Sequence, residues 1–355
     1  MNAFSLRMCR RSVLAALAGA PLVALAGFKD PLDTPALKRA VPAERPLVGV
    51  AQAGKALIAV GSRGLIIRSE DGGSVWSQCE VPVQSDLLAV HFPSTERGWA
   101  VGHDGVVLHS SDGGRTWVRQ LDGRSARVAF EDYYSAAATS DSTALARIRQ
   151  NMGNGPTLPF LDVWFEDEQR GFIVGSFGMI AATVDGGKTW APWTHLIDNP
   201  QQYNLNAVRG IGRDIVIAGE HGSVFVLDRQ AGRFRLQDTG YNGSFFGVVG
   251  NADSWLAYGL RGVAYRRDNK PAAGWTKVAM PVEQTLTAGD YSAESGFVLV
   301  DAAGRILQGD RSGLRWQVRT PEKPRRAAGI AIVSVNTVAI ATLEGIQLLT
   351  LQGVA

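Results

Sequence analysis

Three aspartates of this chain recur in nearly the same setting: SEDGGSVW at 69–76, SSDGGRTW at 110–117 and TVDGGKTW at 183–190. A carboxylate beside paired glycines and a tryptophan can be a working acid or a staple. The neighbouring residues favour the staple. An Asp side chain accepts backbone N–H groups within its own turn, and a Ser or Thr hydroxyl adds a further bond. The glycines supply conformations closed to other residues. The tryptophan buries a large surface. Asp71, Trp76, Asp112, Trp117, Asp185 and Trp190 are therefore read as structural.

The spacing of these turns shows what they serve. Asp71 and Asp112 are 41 residues apart, and Asp185 follows Asp112 after 73. The excess lies in a polar insertion at about 124–156, which reads as helical over 141–150. Each unit contains short alternating runs such as LLAVHF (87–92), GWAVG (98–102), VVLHS (106–110) and TWVRQL (116–121). Such runs, joined by glycine turns, are hairpin-linked strands, and four of them in about 40 residues make a propeller blade. Weaker copies follow, with Asp228, Asp268 and Asp310 at further spacings of 43, 40 and 42. The expected fold is all-β, a seven-bladed β-propeller over 47–355. The seventh unit lacks a fourth strand, and a closed ring avoids open edges. The segment 27–46 is expected to supply that strand from within 34–44, paired with 346–351.

The turns between second and third strands point away from the DGG turns and share a face with the crossovers between blades. That face carries Arg63, His103, Asp104, Phe177, Glu220, His221 and Arg261, a mixed polar set suited to binding a partner. The insertion and the crossover at 193–203 are expected on the same face. No H-x-x-x-H or C-x-x-C spacing occurs, and no G-x-S-x-G turn or phosphate loop, so neither metal nor cofactor is expected.

Residues 1–26 form a separate element. Arg7, Arg10 and Arg11 precede an uncharged apolar run that ends in Ala24-Leu25-Ala26, the pattern of a cleaved signal peptide. Arg10-Arg11 resembles the twin-arginine export pattern, and ordinary secretion fits as well. The chain has 36 Lys and Arg against 33 Asp and Glu, and the excess equals those three arginines. The mature chain is thus neutral, which argues against nucleic-acid binding. It keeps only Cys79, so it can form no internal disulfide.

The DGG turns are Asp-boxes, or bacterial neuraminidase repeats, found in sialidases and in many propellers that are not enzymes. Across 47–350, chiefly through 87–117 and 160–190 with the turns GEHGSVF and YGLRGVAYRR, the chain resembles the photosystem II stability/assembly factor family. That resemblance implies a non-catalytic propeller in the periplasm or thylakoid lumen. It implies a membrane-protein partner, held by an Arg-bearing surface that maps here to Arg63 and Arg261. The partner is expected to be a photosystem II-like complex or an envelope transporter, bound by a monomer. The insertion and the worn later Asp-boxes depart from the photosynthetic pattern. The alternative is a sialidase-like glycoside hydrolase, which needs an arginine triad, a Tyr–Glu pair and an acid Asp.

Overall fold

The second strand of each unit is predominantly apolar, as in ALIAVG at Ala56–Gly61 and GFVLVD at Gly296–Asp301, and every residue of both is buried. A strand with no polar face must be covered on both sides. Blades stacked side by side around an axis provide that cover. In a computed structural model describing residues 29–136, 141–153, 155, 157–270 and 273–351, seven antiparallel sheets do so. From Pro31 onward the described residues form one compact unit. The signal-peptide reading at 1–26 lies outside the described residues.

The innermost strands are Leu47–Ala53, Leu87–His91, Phe160–Phe165, Leu205–Ile211, Phe245–Gly250, Leu286–Ser292 and Ala327–Ser334. Each pairs with the next strand of its own blade, and the order runs outward without crossing. Inner strands of neighbouring blades form no ladder, so side chains bridge them. Gln52 Nε2 donates to the Val333 carbonyl at 3.0 Å, joining blades one and seven. The Phe165 N–H donates to His91 Nδ1 at 3.1 Å, and the Val208 N–H to Asp162 Oδ2 at 2.9 Å. Asn206 Nδ2 reaches the Phe245 carbonyl at 2.7 Å, and the Ile332 N–H reaches Asp290 Oδ2 at 2.8 Å. The inner strands enclose an axial cavity of about 180 Å³, into which Arg209 projects, paired with Asp162.

The insertion is two helices, α1 (Gly123–Ser135) and α2 (Ser142–Met152). The second falls where the sequence placed it. The first was missed. Asp122 starts α1 through a reciprocal capping box with Ser125. Both helices bury an i, i+4, i+8 stripe, Ala126-Phe130-Tyr134 and Ala144-Ile148-Met152, in the core shared with blades two and three. The Tyr134 hydroxyl lies 2.7 Å from Thr194 Oγ1 and 2.9 Å from His195 Nδ1. Asn151 Nδ2 donates to Gln202 Oε1 at 2.9 Å. The hairpin thereby braces the crossover at 193–203, on the face where both were expected.

The N-terminal segment corrects an expectation. The seventh sheet has three strands, and no residue of 34–44 forms a ladder with 346–351. The segment follows the outer edge of blade one instead. The Ala36 N–H donates to the Val81 carbonyl at 2.9 Å, and the Gln84 N–H to the Pro31 carbonyl at 2.7 Å. The Arg39 N–H donates to Gln78 Oε1 at 2.8 Å. Leu32 is buried in the core between blades one and two, and Asp33 accepts a two-pronged bond from Arg124 at 2.8 and 2.9 Å. Pro31, Pro35, Pro42 and Pro46 lack the N–H that a regular ladder requires.

Two predictions follow from these contacts. Arg124 holds the Asp33 carboxyl at about 2, below the ordinary 3.8, so this anchor stabilises the strap fully above pH 4 and is lost as the pH falls towards 2. Limited proteolysis should find residues 31–40 protected at neutral pH, and Asp33→Asn should expose them without acid. At the centre, burial and Arg209 lower the His91 pKa from 6.5 to about 3. The unfolded chain therefore binds a proton that the folded chain refuses, and stability falls as the pH drops from about 6.5 towards 3. His91→Gln should flatten that part of the pH dependence in urea unfolding.

Candidate functional site

The Asp-box carboxylates are tied into their own turns. Asp112 Oδ1 accepts the Arg115 and Thr116 N–H groups at 3.0 and 2.9 Å and the Ser110 hydroxyl at 2.8 Å. Its Oδ2 accepts the Thr116 hydroxyl at 2.6 Å. Asp185 repeats the bonds with Thr183 and Thr189 at 2.8, 2.9 and 2.6 Å. Asp71 keeps those from Ser69 and the Val75 N–H at 2.7 and 2.9 Å, with Val75 in place of the hydroxyl-bearing Thr. Partial burial opposes ionisation of Asp112, but the bonds from Thr116, Ser110 and Arg115 outweigh it and hold the carboxyl below its ordinary range. A fourth staple, at Asp310, was read only as a worn copy. Asp310 accepts the Ser312 hydroxyl at 2.7 Å and the Leu314 N–H at 3.1 Å, and the Trp316 indole donates to the Gly313 carbonyl at 3.0 Å.

Each full staple reaches back to the preceding blade. A Cβ on Gly114 would come within 2.6 Å of Ile58, and one on Gly73 within 2.7 Å of Leu348. Trp117 lies in the core between blades one and two, edge-on to Phe92 at 5.9 Å. Trp76 lies where blade one meets blade seven. Removing the carboxylate orphans two N–H groups and two hydroxyls, so Asp112→Ala should cost about 2–3 kcal/mol in chemical unfolding. Binding of a partner to the opposite face should be unchanged.

That opposite face is built by the turns between second and third strands. In five blades the same turn position holds a non-glycine residue in the left-handed region: Arg63 (φ 55°), Asp104 (59°), Phe177 (54°), His221 (52°) and Arg261 (56°). The crossover to the next blade compensates by capturing the exposed N–H. The Arg63 N–H donates to Asp86 Oδ1 at 2.7 Å, Phe177 to Asn204 Oδ1 at 2.7 Å and Arg261 to Thr285 Oγ1 at 3.4 Å. These side chains each immediately precede an inner strand.

The face joins some of the expected residues and separates others. Asn204 links Phe177 to Glu220, whose carboxylate accepts the Asn204 N–H at 2.9 Å and its side-chain amide at 3.2 Å. His221 stacks on Tyr203 at 4.3 Å and lies 2.7 Å from Asn242 Oδ1. Asp104 accepts the Ser85 hydroxyl at 2.7 Å, and His103 is exposed beside it. Phe177 is 54% exposed. Arg63 and Arg261 stand apart on blades one and five, both exposed, and neither guanidinium makes a hydrogen bond or ion pair within the described residues. Tyr203, Asn204 and Asn242 were missed. A short polar residue directly before four of the seven inner strands, Asp86, Asn204, Ser244 and Thr285, was the available signal for Asn204.

Two solved structures share this architecture. One is described as YCF48 bound to D1 peptide, with a TM-score of 0.63 and 15% identity, covering 90% of this chain and 99% of the other. The second is YCF48 from Cyanidioschyzon merolae, with a TM-score of 0.63 and 14% identity over 87% and 96%. At those identities the likeness is one of fold. No curated protein sequence matches the chain. A family model does, described as photosynthesis system II assembly factor YCF48, over residues 48–147 and 144–234. That match spans more than half of the sequence, and the chain belongs to the photosynthesis system II assembly factor YCF48 family.

Proposed function

We propose that this chain is an exported, non-catalytic propeller that binds a membrane protein and assists the assembly or stability of its complex. The complex is photosystem II or, in an organism without it, another envelope assembly such as a transporter. Family membership supports an assembly role, and nothing in the site favours the glycoside hydrolase reading. The similar structure with a D1 peptide supports a peptide stretch of the partner as the ligand class. No helix among the described residues is long and apolar enough to cross a membrane, which suits a partner reached from the aqueous side. The chain acts as a monomer in the periplasm or thylakoid lumen and needs no cofactor.

The observation that carries this reading is the pair Arg63 and Arg261, two exposed guanidiniums on the crossover face with no partner of their own. Charged groups free of internal pairing can take acidic groups of a partner at little structural cost. The tagged protein should recover one dominant membrane protein from solubilised membranes of its own organism. Arg63→Glu combined with Arg261→Glu should lose it while unfolding at the same temperature as the parent. Full recovery by the double variant would refute the arginine face.

A further inference from the structure

Six blades carry a fourth strand on the outer edge of the third, and blade seven does not. Its third strand, Gly345–Thr350, is an edge. The Leu351 N–H donates to the Asn336 carbonyl at 2.7 Å, which sets the alternation along the strand. Gln347 and Leu349 turn their backbone groups towards the second strand, and Ile346, Leu348 and Thr350 turn theirs outward. Arg319 caps the Thr350 carbonyl. Among the described residues, the N–H groups of Ile346, Leu348 and Thr350 have no partner.

The segment that would pair there is diverted at an identifiable point. A Cβ on Gly345 would come within 2.1 Å of the Ala43 carbonyl, just as one on Gly64 would come within 2.0 Å of the Val83 carbonyl. Residues 43–46 thus occupy the crossover position that residues 83–86 occupy one blade later. In blade one that crossover is fed by its own fourth strand, Ser77–Gln78. Into blade seven it is fed by the strap lying on blade one, so the edge stays open. Trp76 shows the consequence. Trp117 and Trp190 are 4% and 7% exposed, whereas Trp76, facing the three-stranded blade, is only half-buried.

We propose that this edge binds an extended peptide of a protein partner as the fourth strand of blade seven, one whose residues alternate between apolar and acidic. Strand addition uses the unpaired N–H and C=O groups for affinity and alternate side chains for selectivity. On one side of the slot the peptide meets Leu348 and the half-buried Trp76, which take apolar groups. On the other it meets Gln347, hydrogen-bonded to the Lys323 carbonyl, and the cations Arg319, Lys323 and Arg325, which outnumber the nearby unpaired acids Glu322 and Glu44. The slot lies on the rim and shares no residue with the Arg63–Arg261 face, so either reading can fail alone.

The test uses the full chain and a labelled synthetic peptide of about seven residues, the length of an ordinary strand, alternating Val and Glu. In the free protein the amides of Ile346, Leu348 and Thr350 should exchange rapidly. Saturating peptide should slow them by about tenfold or more. A Val–Lys peptide, or the Val–Glu peptide N-methylated at alternate residues, should give no protection. Arg319→Glu with Lys323→Glu, two exposed positions, should reverse the preference from Glu to Lys. Three results would overturn the proposal: no protection by the Val–Glu peptide, amides already slow in the free protein, or protection that rises with protein concentration alone. The second would mean that the chain's own residues fill the slot, and the third that a second copy does.

Discussion

The structure depends on how one blade is joined to the next. Hydrogen-bonded ladders hold each blade together, but inner strands of adjacent blades splay from the axis and cannot pair. Their N–H and C=O groups facing the axis have no ladder, and those that are buried need other partners. Gln52, His91, Asp162, Asn206 and Asp290 provide them, each from one blade to the backbone of a neighbour. Each such bond contributes only about 1 kcal/mol net, but an orphaned buried group costs about 1–3 kcal/mol. The bridges therefore matter most as penalties avoided, and at five of the seven seams they favour the proper neighbour. The ion pair of the buried Asp162 with Arg209 belongs to this seam, since Asp162 also accepts the Val208 N–H.

The Asp-boxes do the same work at larger radius. A loop between third and fourth strands has no ladder beyond its ends. Asp112 closes it from within, and the second glycine lets the backbone press on the preceding blade. Any side chain at Gly114 would displace Ile58 from the core between blades one and two. The staple and the seam are thus two solutions to one problem, and both use their carboxylates to hold backbone N–H groups.

Much of this was legible because it is periodic. A spacing of about 40 residues, alternating runs and the DGG turn report the blade, and the left-handed turns follow from their place between second and third strands. The seam was not legible, because it joins single residues of different blades. Nothing local distinguishes Asp162 or His91 from other polar residues of a strand. Helix α1 carries its apolar residues four apart at Ala126, Phe130 and Tyr134, but the polar residues between them hid that stripe. The N-terminal segment misled for a topological reason. Ring closure argued for a fourth strand, whereas the bond from Arg124 to Asp33 and the burial of Leu32 secure the segment on blades one and two.

The proposed binding face rests on an energetic asymmetry. Left-handed backbone costs a non-glycine residue roughly 1 kcal/mol or more, and glycine takes the same conformation almost freely. Five blades nevertheless place Arg, Asp, Phe, His and Arg there. The crossover bonds from Asp86, Asn204 and Thr285 go to backbone N–H groups, and a glycine would donate them equally well. Stability alone therefore gives no reason for these side chains. Asp104 and His221 recover part of the cost through Ser85, Tyr203 and Asn242. Arg63, Phe177 and Arg261 make no comparable side-chain bond and remain exposed. A strained position that carries an exposed, unpaired side chain makes sense where that side chain meets something outside the fold. The opposite rim, where every Asp-box carboxylate is already bonded, has no such residue to offer.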